Sequence, residues 1–269
     1  MEKPELVKKF LNMCSSKKNT SMDIANAFTY PELKEIGEWI EMEKHVYSTE
    51  IVLRKIKEAY DNGVRNARAM NLSDGQEGVE RKFSEKFMEN ILFAAVKEVK
   101  ETLRLNVELV RGTDDYFSRS LTTTSGKVLT DDKIQVDFNL YYNKKLIAVI
   151  EVKSNLDKCY LKRTVSDFED IASSIKEHGG DPSKVNYILF VGQSAIYEDT
   201  LDFFKTRFSD YGKKYGLGNI KFDTFFFING KRYPSCGSQH TIYQKNPGIN
   251  ESTVRTFVPY LINTIKSEA

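Results

Sequence analysis

Apolar positions along the chain change their period near residue 103, and that change organises everything else. Before it they recur at helical spacing: in PELVKKFLNMC, at Ile36, Trp39 and Ile40, and again at Ile51, Ile56 and Tyr60. Pro31 opens one of these helices, where a first-turn N–H would have no partner anyway. The turn cluster NLSDGQEG (71–78) then divides the chain into an N-terminal helical region, 1–72, and a second unit, 73–269. A longer helix is predicted from about Val79 to Leu103. Its apolar stripe is Phe83, Phe87, Ile91, Ala94 or Ala95, and Val99.

Beyond that helix the pattern becomes strand-like. NVELVRG, KIQVDFNLYY and KLIAVIEVKS are three β-type runs, and YNKK (142–145) is short enough to close a hairpin between the last two. VSDFEDIASSIKEHGG reads as an amphipathic helix closed by glycine, with Phe168, Ile171 and Ile175 inward. VNYILFVG is a continuous apolar strand of the kind buried on both faces. LDFFKTRFSDYGKKYG is a further helix, IKFDTFFFING a further strand, and STVRTFVPYLINTIKS a C-terminal helix after an irregular polar stretch, 231–250. Strands alternating with helices predict an α/β fold with a mixed sheet flanked by helices. The glycines of GKKYGLGN (212–219) lack the strand–loop–helix order of a phosphate-binding loop and read as a plain turn.

Composition narrows the class only a little. With 269 residues and 40% hydrophobic positions the chain can bury a substantial core. A formal net charge of +2 neither announces nor excludes a nucleic-acid partner, because a basic face can be balanced by acids elsewhere. Cys14, Cys159 and Cys236 lie far apart with no CxxC pair, which argues against a disulfide scaffold and a structural zinc site. No leader-like or membrane-length apolar run is present, so the expectation is a cytoplasmic protein without a membrane partner. His45, His178 and His240 are scattered, and none sits with an acid or cysteine at metal-ligand spacing.

Candidate chemistry gathers in one place. Asp137 lies in one predicted strand, and Glu151-Val152-Lys153 ends the next, across a short turn. Side chains alternate along a strand, so Glu151 and Lys153 share a side while Val152 points into the core. Charges at the end of so apolar a strand (LIAVI, 146–150) cost free energy unless they are paired or bind a metal. Hard carboxylate oxygens suit Mg²⁺, with Asp137 and Glu151 as ligands and the Val152 carbonyl as a third. Lys153 would position a water and offset developing negative charge. The competing reading is a strand-end ion pair without chemistry.

These residues, the buried run before them and the helix after them resemble the PD-(D/E)xK nuclease superfamily, and specifically its type II restriction endonucleases. The resemblance covers roughly residues 79–195 and departs where the motif's proline is replaced by Val136. It implies a restriction-endonuclease-like fold and Mg²⁺-dependent hydrolysis of double-stranded DNA leaving 5′-phosphate ends. It further implies a homodimer on a palindromic site and a cognate methyltransferase as genetic neighbour. In this family a helix acid often joins the site; SEKFM (84–88) points to Glu85, with Glu80 and Glu89 as competitors. Lys162, Arg163 and the loop residue His240 are candidates for contact with DNA, against plain exposed loop charges. Two other readings remain: a junction resolvase or repair nuclease, and a non-catalytic DNA-binding protein of the same fold.

Overall fold

The computed structural model describes residues 57, 60, 61, 85, 87–89, 92, 93, 96, 100, 104–122, 128–228 and 249–267. Strand β1 (Val107–Arg111) is followed by β2 (Phe117–Thr122), β3 (Val128–Ile134), β4 (Phe138–Tyr142) and β5 (Lys145–Leu156). Helix α1 (Lys158–Glu177), β6 (Asn186–Ser194), α2 (Glu198–Lys214), β7 (Phe222–Phe226) and α3 (Glu251–Lys266) complete the order. One sheet has the order β1-β4-β5-β6-β7, and β2 with β3 forms a separate two-stranded sheet. The first three strands of the large sheet are antiparallel; β5, β6 and β7 are parallel. The fold is therefore α/β, with a mixed five-stranded sheet flanked by helices.

A two-residue turn sets the register of the central hairpin. Asn143 and Lys144 both have positive φ, 49° and 65°, which is what a primed hairpin turn asks of its central pair. Pairing runs from Tyr142 with Lys145 to Phe138 with Ile150, interrupted by a bulge beside Leu140. That register sets the residue before Phe138 beside the residue after Ile150, which brings Asp137 to Glu151.

Both faces of the sheet are dry. On one, Ile150, Val152, Ile188 and Phe190 pack with Phe87, Met88, Leu92 and Val96 and with Phe257, Leu261 and Ile265 of α3. On the other, Val149, Tyr187, Leu189 and Val191 meet Leu161, Val165, Phe168 and Ile171 of α1 and Phe204 and Phe208 of α2. Phe168 and Phe190 are fully buried, each removing a side chain worth about 1.5–3 kcal/mol of transfer free energy from water. Tyr60 joins the first face, its ring 5.3 Å from that of Phe87.

Three expectations change. The helix predicted from residue 165 starts at Lys158, because Asp157 caps it by accepting from the Tyr160 N–H at 2.8 Å. Lys162 and Arg163 are thus helical and not loop residues, and both are exposed. KIQVDFNLYY does not form one strand: Ile134 ends β3, which pairs with β2, and Asp137 occupies the bend before β4. Of the stripe expected on the helix ahead of β1, Phe87 is buried, and among the described residues Met88, Leu92 and Val96 are buried with it. Phe83, Ile91, Ala94, Ala95 and Val99 lie outside the described residues, as do Glu80, His45, His240 and nearly all of 1–72.

Candidate active site at the ends of β4 and β5

Asp137 is held from both sides by backbone. Its carbonyl accepts from the Gly112 N–H at 3.1 Å, just past the end of β1. A Cβ on Gly112 would lie 1.9 Å from the Val136 carbonyl oxygen, so only glycine permits that approach. The turn after β1 is pinned as well. Buried Asn139 donates to the Asp115 carbonyl at 2.7 Å and to its carboxylate at 3.1 Å, and the Tyr141 hydroxyl donates to the same carboxylate.

Asp137 and Glu151 then clasp each other. The Asp137 N–H donates to Glu151 Oε2 at 3.2 Å, and the Val152 N–H donates to Asp137 Oδ2 at 2.7 Å. Each carboxylate is oriented by the other's strand, so neither can swing away without losing a hydrogen bond. Lys153 completes the cluster: its ammonium pairs with Glu151 Oε1 and lies 3.7 Å from Asp137 Oδ2. The side chains of Glu151, Lys153 and Asp137 are 11%, 25% and 32% exposed, so the cluster opens to solvent mainly through Asp137.

Two acids share this one ammonium, and the imbalance shows in their titration. Burial and the neighbouring Asp137 charge push the Glu151 carboxyl up to about 7, against the pull of Lys153 and the Asp137 N–H. Burial works against the Lys153 ammonium, but the Glu151 and Asp137 charges, its hydrogen bond to Glu151, and Glu85 hold its pKa above the ordinary value.

The competing helix acids separate. Glu85 is half-buried and adds an electrostatic pull on Lys153, the smallest of those acting on it. Glu89, one turn on, is buried and paired with Arg111 at 3.3 Å. On α1, Arg163 pairs with Asp167 at 3.8 Å. Burial lifts the Asp167 carboxyl, Arg163 and Lys153 lower it, and Asp170 raises it, which places Asp167 within electrostatic reach of the site. The sequence reading passed over Asp167 and Arg111; the Arg163–Asp167 spacing of four on a helix was the one local signal for the former.

Among the described residues no group of three or more His, Cys, Asp or Glu side chains is placed to hold a metal ion. The donor set is two clasped carboxylates with one ammonium between them. That set does not suit zinc, which takes four closed nitrogen or sulfur ligands in structural sites. It does suit Mg²⁺, which keeps several waters and takes one or two carboxylates together with substrate phosphate. The surplus negative charge around Glu151 favours such an ion.

No family model matches the chain, and no curated protein or solved structure matches it either. Among the described residues no helix is long and apolar enough to cross a membrane.

Proposed function

We propose that this protein is a Mg²⁺-dependent deoxyribonuclease of the PD-(D/E)xK type, and more narrowly a type II restriction endonuclease cutting double-stranded DNA at a short specific sequence. The observation that carries the reading is the clasp: two carboxylates fixed by each other's backbone, with one lysine reaching both. A structural ion pair needs one acid; a second acid on the same ammonium adds repulsion that stability alone would not retain.

In this reading Asp137 and Glu151, with the Val152 carbonyl, would hold the ion. Bound there, Mg²⁺ lowers the pKa of a coordinated water and offsets charge on the phosphate. The chain's own groups do the rest. The clasp keeps both carboxylates from reorienting as substrate arrives, so little reorganisation remains for the reacting step. The Lys153 ammonium, kept protonated by its acidic neighbours, orients the attacking water and offsets charge growing on the phosphoryl oxygens. Water oxygen bonds to phosphorus as the P–O3′ bond breaks, giving 5′-phosphate and 3′-hydroxyl ends. Glu85 helps hold Lys153 in place. The restriction reading carries with it a homodimer and a methyltransferase of matching specificity nearby.

Incubation with Mg²⁺ and long mixed-sequence DNA tests it. Discrete fragments support a restriction enzyme, a smear indicates a nuclease without sequence preference, and cutting of branched DNA alone indicates a resolvase. D137A and K153A should stop cleavage while DNA binding persists; cleavage surviving in either would sink the site assignment.

A further inference from the structure

Arg111 closes β1 one residue before the glycine whose N–H holds Asp137, and it pairs in register with Phe138, the residue after Asp137. Its guanidinium donates to Glu89 at 3.3 Å and lies 5.4 Å from the ring centre of Phe93 and 5.3 Å from that of Phe138. Two rings and a carboxylate therefore fix the planar group with little rotational freedom left. Yet 46% of the Arg111 side chain is exposed, while Glu89 keeps only 5%. A guanidinium carries five N–H donors, and Glu89 engages it through a single contact, from Nη1.

The surroundings extend the cluster in one direction. Glu85 and Glu89 are one helical turn apart on one face, roughly 6 Å between their β-carbons. The first acts on Lys153, and the second holds Arg111. Arg111 is thus a second cation near the Asp137 bend, held by Glu89, while Lys153 is held by Glu151 and Asp137.

We infer that Arg111 grips a backbone phosphate flanking the scissile one, presented by Phe93 and Phe138 and drawn partly from Glu89 when DNA arrives. This rests on the nuclease reading above and adds to it a phosphate contact outside the acid–acid–lysine cluster. Grip on the neighbouring phosphate sets the register of the strand over Lys153, a positioning role that carries no sequence information.

The test is duplex binding by the full chain without cleavage, in chelator, using a fluorescent 30-base-pair mixed-sequence duplex between 50 and 200 mM salt. Each phosphate contact contributes about 0.9 to the salt slope, so wild type should lose roughly 3.5-fold more affinity than R111Q across that range. R111K should keep the wild-type slope. E89Q should tighten binding, because its neutral amide competes less for Arg111. A plain helix–sheet staple gives the opposite pattern: R111Q keeps the wild-type slope, and E89Q fails to tighten binding. That pattern overturns the inference and leaves the nuclease reading intact. Should R111Q not fold, the direction of the E89Q change decides by itself. Failure of wild type to bind the duplex overturns both readings.

Discussion

Two buried glutamates, Glu151 on β5 and Glu169 on α1, each meet a single cation, and the molecule treats them very differently. Arg207 reaches Glu169 with two parallel hydrogen bonds, 3.1 Å and 3.0 Å, so one acid and one base close on each other. Lys153 must serve Glu151 and Asp137 together. The first arrangement is balanced and ties α1 to α2, where Ser173 and Tyr211 add a 3.0 Å hydrogen bond. The second keeps an acid in excess at a point open to solvent. Charge balance separates a staple from a site more clearly than burial does, since both glutamates are under 10% exposed.

The comparison can be broken in several ways. The largest effect should come from neutralising either site acid. D137N and E151Q are expected to lower Mg²⁺-dependent cleavage by roughly a hundred- to a thousand-fold, the range for losing one preorganised electrostatic group. R207A should leave cleavage unchanged when assayed well below its unfolding midpoint. Equal losses at both places would erase the distinction.

Next comes the pH dependence of stability without metal. The Glu151 carboxyl titrates near 4.5 in the unfolded chain and near 7 in the fold. Between those values the folded protein binds more protons, so stability should fall as pH rises from about 4.5 to about 7. The total is about 3 kcal/mol at most. Urea unfolding at pH 5 and pH 8 in chelator measures it. E151Q should remove most of the difference, and adding Mg²⁺ at pH 8 should recover the wild-type loss in a concentration-dependent way. A wild-type protein more stable at pH 8 than at pH 5 in chelator would contradict the crowding of the two acids.

R207A should then cost about 2 kcal/mol by strand-and-helix unfolding in urea. That lies below the 3–5 kcal/mol seen for fully buried pairs, because Arg207 is itself 40% exposed. The smallest effect sits in the turn that sets the clasp's register. K144G removes a side chain from a residue at φ 65° and should stabilise by roughly 0.5–1 kcal/mol without altering cleavage.

The hairpin was legible in the sequence because its signals are local: an apolar run, a two-residue turn and a run returning. The same holds for β6, whose nine residues are buried through the middle, and for α2, closed by Gly216 at φ 65°. Asp137, Glu151 and Lys153 were legible as neighbours for the same reason. The small β2–β3 sheet was not, because FSRSLT and VLTDDKI carry polar residues in no regular alternation. The bend at Asp137 was hidden too; it depends on Gly112 approaching Val136 across a turn, a contact between distant positions. Arg111 with Glu89 is a pairing across 22 residues, fixed by how the helix lies on the sheet. The start of α1 was readable in principle from Asp157 as a cap, yet the polar KCYLKRT masked its helical period.

The hairpin's shortness has a kinetic consequence. Asp137 and Glu151 are joined through a two-residue loop, whereas pairing β5 with β6 must wait for the whole of α1 to cross over. Chain closure favours the nearer contact, so the two acids meet early, before the helical layers that later desolvate them. Their repulsion is then felt on the way up the folding barrier as well as in the finished protein. Because burial is the larger cause of the raised Glu151 carboxyl and comes late, metal-free chains should unfold faster at pH 8 than at pH 5, with refolding less changed, and an ion held by the two acids would slow that unfolding.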